Sequence, residues 1–320
     1  MRAMERRVSR RWFQFSLRTF LLAVTALAVW LGVEVNRVRR QREAVEAIIA
    51  AGGKVLYDYQ IVYQVSGRRF TSDAEPAGPR WLRKLIGEDF FRDVIDVDLN
   101  RTQVDDAWLA RLNDLPAIER LNLAYTPVTD AGIESLVKLG RLKRIILDET
   151  RVTDRALAHL AKHAPKLTSL NVGGAGVTDA GLGEIARCKR LQTLVLFGAG
   201  ITDEGLRPLE ALGELEMLWL SEAPITDRGL ESVVRLRKLK RLFLTGLQIT
   251  DKGVKRLEEL DALQRLGIGQ SAITDAGVEP LKQLKWLNRL ELYDTLVTDS
   301  GAADLAAALP MCKISTVPPP

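Results

Sequence analysis

Cysteine and histidine are almost absent from these 320 residues: there are two of each. Cys188 and Cys312 lie far apart, so no disulfide framework staples the chain, and each thiol reads as a small buried hydrophobe. His159 and His163 have the i, i+4 spacing that metal sites use. No Glu or Cys stands beside them to complete a ligand set, so they read as helix-end packing. A phosphate-cradling loop is missing too, because Gly173-Gly174-Ala175-Gly176 does not precede a long helix. Ser/His and Cys/His dyads have no plausible neighbours. These absences argue against an enzyme and leave no metal or cofactor expected.

Basic charge is lacking where nucleic acid would need it. The net charge is +5, but residues 1–42 hold ten Arg and two Glu, a net of +8, so the remainder carries about −3. A body of that charge is not a nucleic-acid footprint.

What the chain does have is a repeated unit. One copy runs Leu239-x-x-Leu242-x-Leu244, then Ile249-Thr250-Asp251, Gly253-Val254 and Leu257. The third apolar position recurs at Leu99, Leu123, Leu147, Val172, Leu196, Leu220, Leu244, Ile268 and Leu292, with a 24-residue period and one longer step around His163-Ala164-Pro165. Self-similarity at this period marks a leucine-rich-repeat solenoid, an α/β fold of about nine strand–turn–helix units with a parallel concave sheet. Apolar residues alternating at period two make each strand. Thr-Asp, from Thr129-Asp130 to Thr298-Asp299, offers oxygens to the first helical turn. A glycine two residues after the Asp implies close backbone approach between neighbouring coils; Trp108 and Ala156 are the exceptions.

The chain divides into a basic segment, 1–12; an apolar anchor, 13–35; a helix, strand and cap region, 36–93; the solenoid, 94–314; and a tail, 315–320. Thr19 to Val33 is uncharged and apolar, and snorkelling by Arg18 extends it to about the 20 residues that cross a bilayer. Six Arg before it and four after favour the N-terminus inside, which puts the repeats on the extracytoplasmic side of the cytoplasmic membrane. Two rivals stand beside this reading: a signal peptide cleaved near Ala26-Leu27-Ala28, and a twin-arginine export signal at Ser9-Arg10-Arg11-Trp12-Phe13. Residues 36–53 read as a separate helix ended by Gly52-Gly53. Residues 55–65 alternate as a strand, and Ser66 to Pro79 reads as a loop. Trp81, Leu82, Leu85, Ile86, Phe90 and Phe91 form the expected N-terminal cap.

With no catalytic constellation, surface remains. Side chains flanking the two inward strand leucines point to the concave side. There Trp219 and Phe243 share one column about 5 Å apart, with Phe197 diagonal at roughly 7–8 Å. Arg241, Arg265 and Arg289 form a neighbouring column, and Met217 and Tyr293 extend the patch. Trp, Phe and Arg are typical interface anchors, and here they have no packing duty because Leu218, Leu220, Leu242 and Leu244 fill the core.

The repeats resemble leucine-rich repeats of the T-D-x-G-L kind, also found in F-box leucine-rich-repeat proteins, over roughly residues 94–314. Phe15-Ser16-Leu17-Arg18-Thr19, Arg39 to Val45 and Trp81 to Phe91 resemble membrane-anchored leucine-rich-repeat proteins of planctomycete bacteria. That resemblance implies architecture and surface location. The expected function is a membrane-anchored scaffold that binds a protein or peptide on the concave sheet. The alternative is an envelope protein that assembles with itself. A ubiquitin-ligase substrate adaptor, the third reading, wants for an F-box-like segment.

Overall fold

The computed structural model of the protein describes residues 17–64, 67–70, 75–138, 140–174, 176–198 and 200–317. Ten strands follow the repeat period: β4 (Val94–Asp98), β5 (Arg120–Asn122), β6 (Arg144–Leu147), β7 (Ser169–Gly173), β8 (Thr193–Phe197), β9 (Met217–Ser221), β10 (Arg241–Thr245), β11 (Arg265–Gly269), β12 (Arg289–Tyr293) and β13 (Lys313–Ser315). They pair in parallel and in sequence order, with no slip in register, so that Leu218, Leu242, Leu266 and Leu290 form one row. A strand at period two sends alternate side chains to opposite faces. The inner rows are fully buried, with Leu218, Leu242 and Leu244 at 0% exposure. Helical or 3-10 segments return the chain behind the sheet, and one continuous apolar core runs through all the coils. This is the leucine-rich-repeat solenoid that the 24-residue period dictates.

The Thr-Asp pairs divide the labour differently from the simple capping expected. Thr caps its own helix, as Thr250 Oγ1 does by accepting from the Lys252 N–H at 3.3 Å. Asp bonds instead to the next coil. Asp227 Oδ1 accepts from the Thr250 N–H and Oδ2 from the Thr250 hydroxyl, both at 2.7 Å. The same pair of hydrogen bonds joins Thr129 to Asp106 and recurs in each coil as far as Thr298 and Asp275. This also changes the account of the recurrent glycine. A Cβ on Gly253 would lie 2.3 Å from Asp227 Oδ1, so the glycine makes room for the carboxylate of the preceding coil rather than for bare backbone.

One further device recurs at the same period. A residue one to three positions after each strand from β4 to β12 is left-handed, at Arg101, Tyr125, Glu149, Glu222, Gln270 and Asp294 as well as at Gly174, Gly198 and Gly246. Six non-glycine residues thus hold a conformation that L side chains rarely adopt.

The N-terminal region departs from expectation in four ways. The apolar segment and the helix expected over 36–53 are one helix, α1 (Leu17–Ala50), which no glycine or proline interrupts after Gly32 and which ends before Gly52-Gly53. The expected strand over 55–65 splits after four residues. β1 (Lys54–Tyr57) pairs antiparallel with β4, giving the otherwise parallel sheet an antiparallel edge. β2 (Ile61–Gln64) then leaves the sheet and pairs with β3 (Gly67–Phe70), a strand inside the stretch expected to be loop; Val65 and Ser66 lie outside the described residues. Finally, the aromatic cluster is not the cap. Trp81 and Leu85 on α2 (Arg80–Ile86) are 67% and 73% exposed, and the buried side chain of that helix is Arg83. The first coil is covered instead by Ala44, Val45 and Ile48 of α1 and by Val55 and Tyr57 of β1. The tie is polar as well: Arg42 and Arg92 grip Asp89, and Gln41 Nε2 donates to the Arg92 carbonyl at 2.9 Å.

Candidate functional site

The open face of the sheet is built from the residues flanking the inward leucines. Register places Met217, Arg241, Arg265, Arg289 and Lys313 in one column. Beside it run Val195, Trp219, Phe243, Gly267 and Glu291, and beside those Phe197, Ser221, Thr245, Gly269 and Tyr293. Neighbouring strands are about 4.8 Å apart, so large side chains in one column must touch.

The aromatics interlock. Trp219 and Phe243 have ring centroids 5.2 Å apart, and the Phe197 ring meets Trp219 edge-on at 5.4 Å, nearer than backbone spacing alone suggested. Such geometries suit aromatic quadrupoles. All three rings are half-buried, so they carry some packing after all, which the expectation of rings idle on the surface did not include. The Arg265 guanidinium lies 5.6 Å from the Phe243 centroid.

Next to Phe243 the sheet loses its side chains at Gly267 and Gly269. The rings on either side lean into that gap: a Cβ on Gly267 would meet Phe243 Cδ1 at 2.7 Å, and one on Gly269 would meet the Tyr293 ring at 2.3 Å. Tyr293 reaches across β11 so that its hydroxyl bonds Thr245 Oγ1 at 2.8 Å. The result is a trough of ≈ 300 Å³ whose lining includes Met217, Trp219, Arg241, Phe243, Arg265, Arg289 and Tyr293. Phe197, the eighth candidate from the sequence, lies outside the trough and backs Trp219.

Glu291 is the residue that sequence reasoning passed over. It is 6% exposed, pairs with Arg289 two residues before it on the same strand, and has Arg265 Nη2 at 3.7 Å. Its place on the open sheet face, two residues after Arg289 and on the strand next to that of Arg265, was the available signal.

Elsewhere on the same face, burial raises the Asp148 carboxyl to about 6, assisted by the charge of Glu149, and its Oδ1 has no hydrogen-bond partner among the described residues. The two histidine rings lie tilted against each other with centroids 4.2 Å apart, and His163 Nδ1 lies 3.1 Å from the His159 carbonyl oxygen. Leu139, the counterpart of His163 in the preceding repeat, lies outside the described residues. Burial lowers the His159 pKa, and the neighbouring His163 lowers it further. Cys188 is a buried free thiol and Cys312 a half-buried one. Among the described residues no three His, Cys, Asp or Glu side chains converge to hold a metal ion.

The stretch Arg18–Ala50 of α1 is long and apolar enough to cross a membrane, and its most apolar part is not buried against the body.

Residues 116–137, 163–186 and 187–209 match the model of the leucine-rich repeat family. No curated protein matches the chain. Among solved structures it is similar to an internalin C2 of Listeria monocytogenes, at 26% identity over 66% of this chain and 84% of that one, with a TM-score of 0.49. A second Listeria monocytogenes internalin matches at 18% identity over 75% and 94%, with a TM-score of 0.40. A leucine-rich-repeat protein of Leptospira interrogans matches at 18% identity over 64% and 62%, with a TM-score of 0.43. Repeat period, strand register and family match agree: the protein carries leucine-rich repeats, folded as a solenoid on one long parallel sheet with an antiparallel edge strand.

Proposed function

We propose that the protein is a membrane-anchored scaffold that binds another protein through the open face of its sheet. The observation that carries this reading is the cluster of Trp219, Phe243 and Phe197 beside Arg241, Arg265 and Arg289, on a face opposite the core. Soluble proteins seldom expose contiguous apolar surface without use, and Trp and Arg are the residues that dominate interface energetics. The N-terminal half of α1 holds the solenoid at the cytoplasmic membrane, and the arginine balance around it puts the repeats on the extracytoplasmic side.

The test compares two double variants of the full chain, Trp219→Ser with Phe243→Ser and Asn122→Ser with Asn171→Ser, in cross-linking capture from native membranes. The aromatic pair loses the partner and the asparagine pair keeps it. The aromatic variant loses some stability, because its rings are half-buried, but Leu218, Leu220, Leu242 and Leu244 still fill the core and its circular dichroism stays that of the parent. Equal loss from both variants refutes a localised site. Capture only of a second copy of the chain would favour self-assembly instead.

A further inference from the structure

Within the trough, the buried polar atoms left without hydrogen-bond partners among the described residues are donors. Arg241 has no ion pair among the described residues. Trp219 Nε1 and Arg265 Nε are covered and have no acceptor among the described residues. The one carboxylate, Glu291, is already committed to Arg289 and Arg265. Three guanidiniums against one carboxylate leave an excess of +2 over this small area, and Lys313 continues the column. Glu291 lies on the far side of Arg265 from Arg241, so it neutralises the β12 side of the trough and leaves the β10 side positive.

Apolar surface adjoins that positive edge. Phe243 and Trp219 line it, with the Phe243 ring leaning over Gly267, so an apolar side chain laid there meets ring surface beside the arginines. Arg241 and Arg265 sit on adjacent strands, about 4.8 Å apart at the backbone. One carboxylate can accept from both, because its two oxygens offer about four acceptor sites and a guanidinium offers a fork of donors.

We propose that the trough takes an acidic peptide segment, in which an Asp or Glu carboxylate meets Arg241 and Arg265 while a neighbouring aromatic or aliphatic side chain lies against Phe243 and Trp219. This inference rests on the open-face reading above and adds the chemistry of the partner. The body as a whole carries about −3. The net charge of the body therefore supplies no general attraction for an acidic segment, and this column supplies a local one.

The probe is a phage library of random dodecapeptides, panned on the full chain in detergent micelles and counter-selected on the Trp219→Ser, Phe243→Ser variant. The enriched peptides carry Asp or Glu within two positions of Phe, Trp or Leu. Synthesised, the best of them binds the Arg241→Gln variant at least about tenfold more weakly than the parent, with a flatter salt dependence. Arg241→Gln is the informative change because it orphans no partner, whereas removing Arg265 would leave buried Glu291 short of a cation; circular dichroism checks that the variant is folded. Enriched peptides that need the aromatics but lack acidic residues, and that ignore Arg241→Gln, overturn this inference and leave the open-face site standing. Peptides indifferent to the aromatics, or no enrichment over a bare-micelle control, overturn both.

Discussion

Replacing Gly253 by Ala puts a methyl group where the preceding coil keeps its carboxylate. The added Cβ lies 2.3 Å from Asp227 Oδ1, 2.9 Å from its Cγ and 3.1 Å from its Cα. Overpacking of this kind costs about 1–3 kcal/mol. Asp227→Ala alone removes two hydrogen bonds to Thr250, whose surroundings are open enough for water to replace part of them, at a cost of about 1–2 kcal/mol. In the double variant the methyl no longer meets a carboxylate, and of its three nearest contacts the 3.1 Å one with the residue 227 Cα remains. The combined cost therefore falls short of the sum by about 1–2 kcal/mol, a coupling well above the usual additivity error. The protein already holds one such methyl: Ala156 follows Asp130, but on a ten-residue helix, Asp154–His163, against the five residues of Asp251–Lys255. The assay is urea denaturation followed by circular dichroism, with hydrogen exchange at β10 and β11 as a local readout, since damage in a solenoid spreads mainly to neighbouring coils. Costs that add within about 0.5 kcal/mol, or a neutral Gly253→Ala, refute the packing argument.

Asp148 makes stability fall with rising pH. Its carboxyl titrates near 6 in the folded protein against an ordinary 3.8, so the folded state holds the proton more tightly and loses stability as pH rises between those values. That interval is worth at most about 3 kcal/mol, and solvent at a half-buried site reduces it to about 1–2 kcal/mol. Asp148→Asn is thus more stable than the parent above pH 6 and indistinguishable from it near pH 4, and an advantage present equally at both pH values would contradict the assignment. Glu222→Gly, at a left-handed φ of 54°, raises stability by about 0.5–1 kcal/mol in a denaturation midpoint; a lower midpoint would mean that the turn is unstrained. Asp89→Ala removes the carboxylate gripped by Arg42 of α1 and by Arg92 and loosens the cap by about 1–2 kcal/mol. Amide exchange at residues 44–48 accelerates accordingly, while unchanged exchange would show that the apolar contacts hold α1 alone.

The repeat period carried most of the fold, because a 24-residue repeat fixes which positions face the core and which strands neighbour one another. The same alternation placed Trp219 beside Phe243 and lined up Arg241, Arg265 and Arg289, as the register then showed. What lay outside that pattern was harder to read. Ring contacts depend on rotamers, so spacing alone put Phe197 too far from Trp219. Trp81 and Leu85 are close in sequence to the first coil, yet proximity along a chain is not convergence in space, and both face outward. Gly67 to Phe70, rich in polar and flexible residues, carried no strand pattern and forms a strand through its partner β2. The left-handed turns left no trace because only three of the nine positions are glycine. The glycine after each Asp was visible, but its reason was not, since the Asp carboxylate that needs the space belongs to a different repeat.

The most direct test of the binding role is photo-crosslinking from the sheet itself. A photoreactive phenylalanine analogue replaces either Phe243 or Asn122 in the full chain, and native membranes are irradiated. A binding surface at the aromatic cluster predicts a discrete adduct with another protein from position 243 and none from position 122. Adducts of the same size from both positions, or from neither, would contradict it.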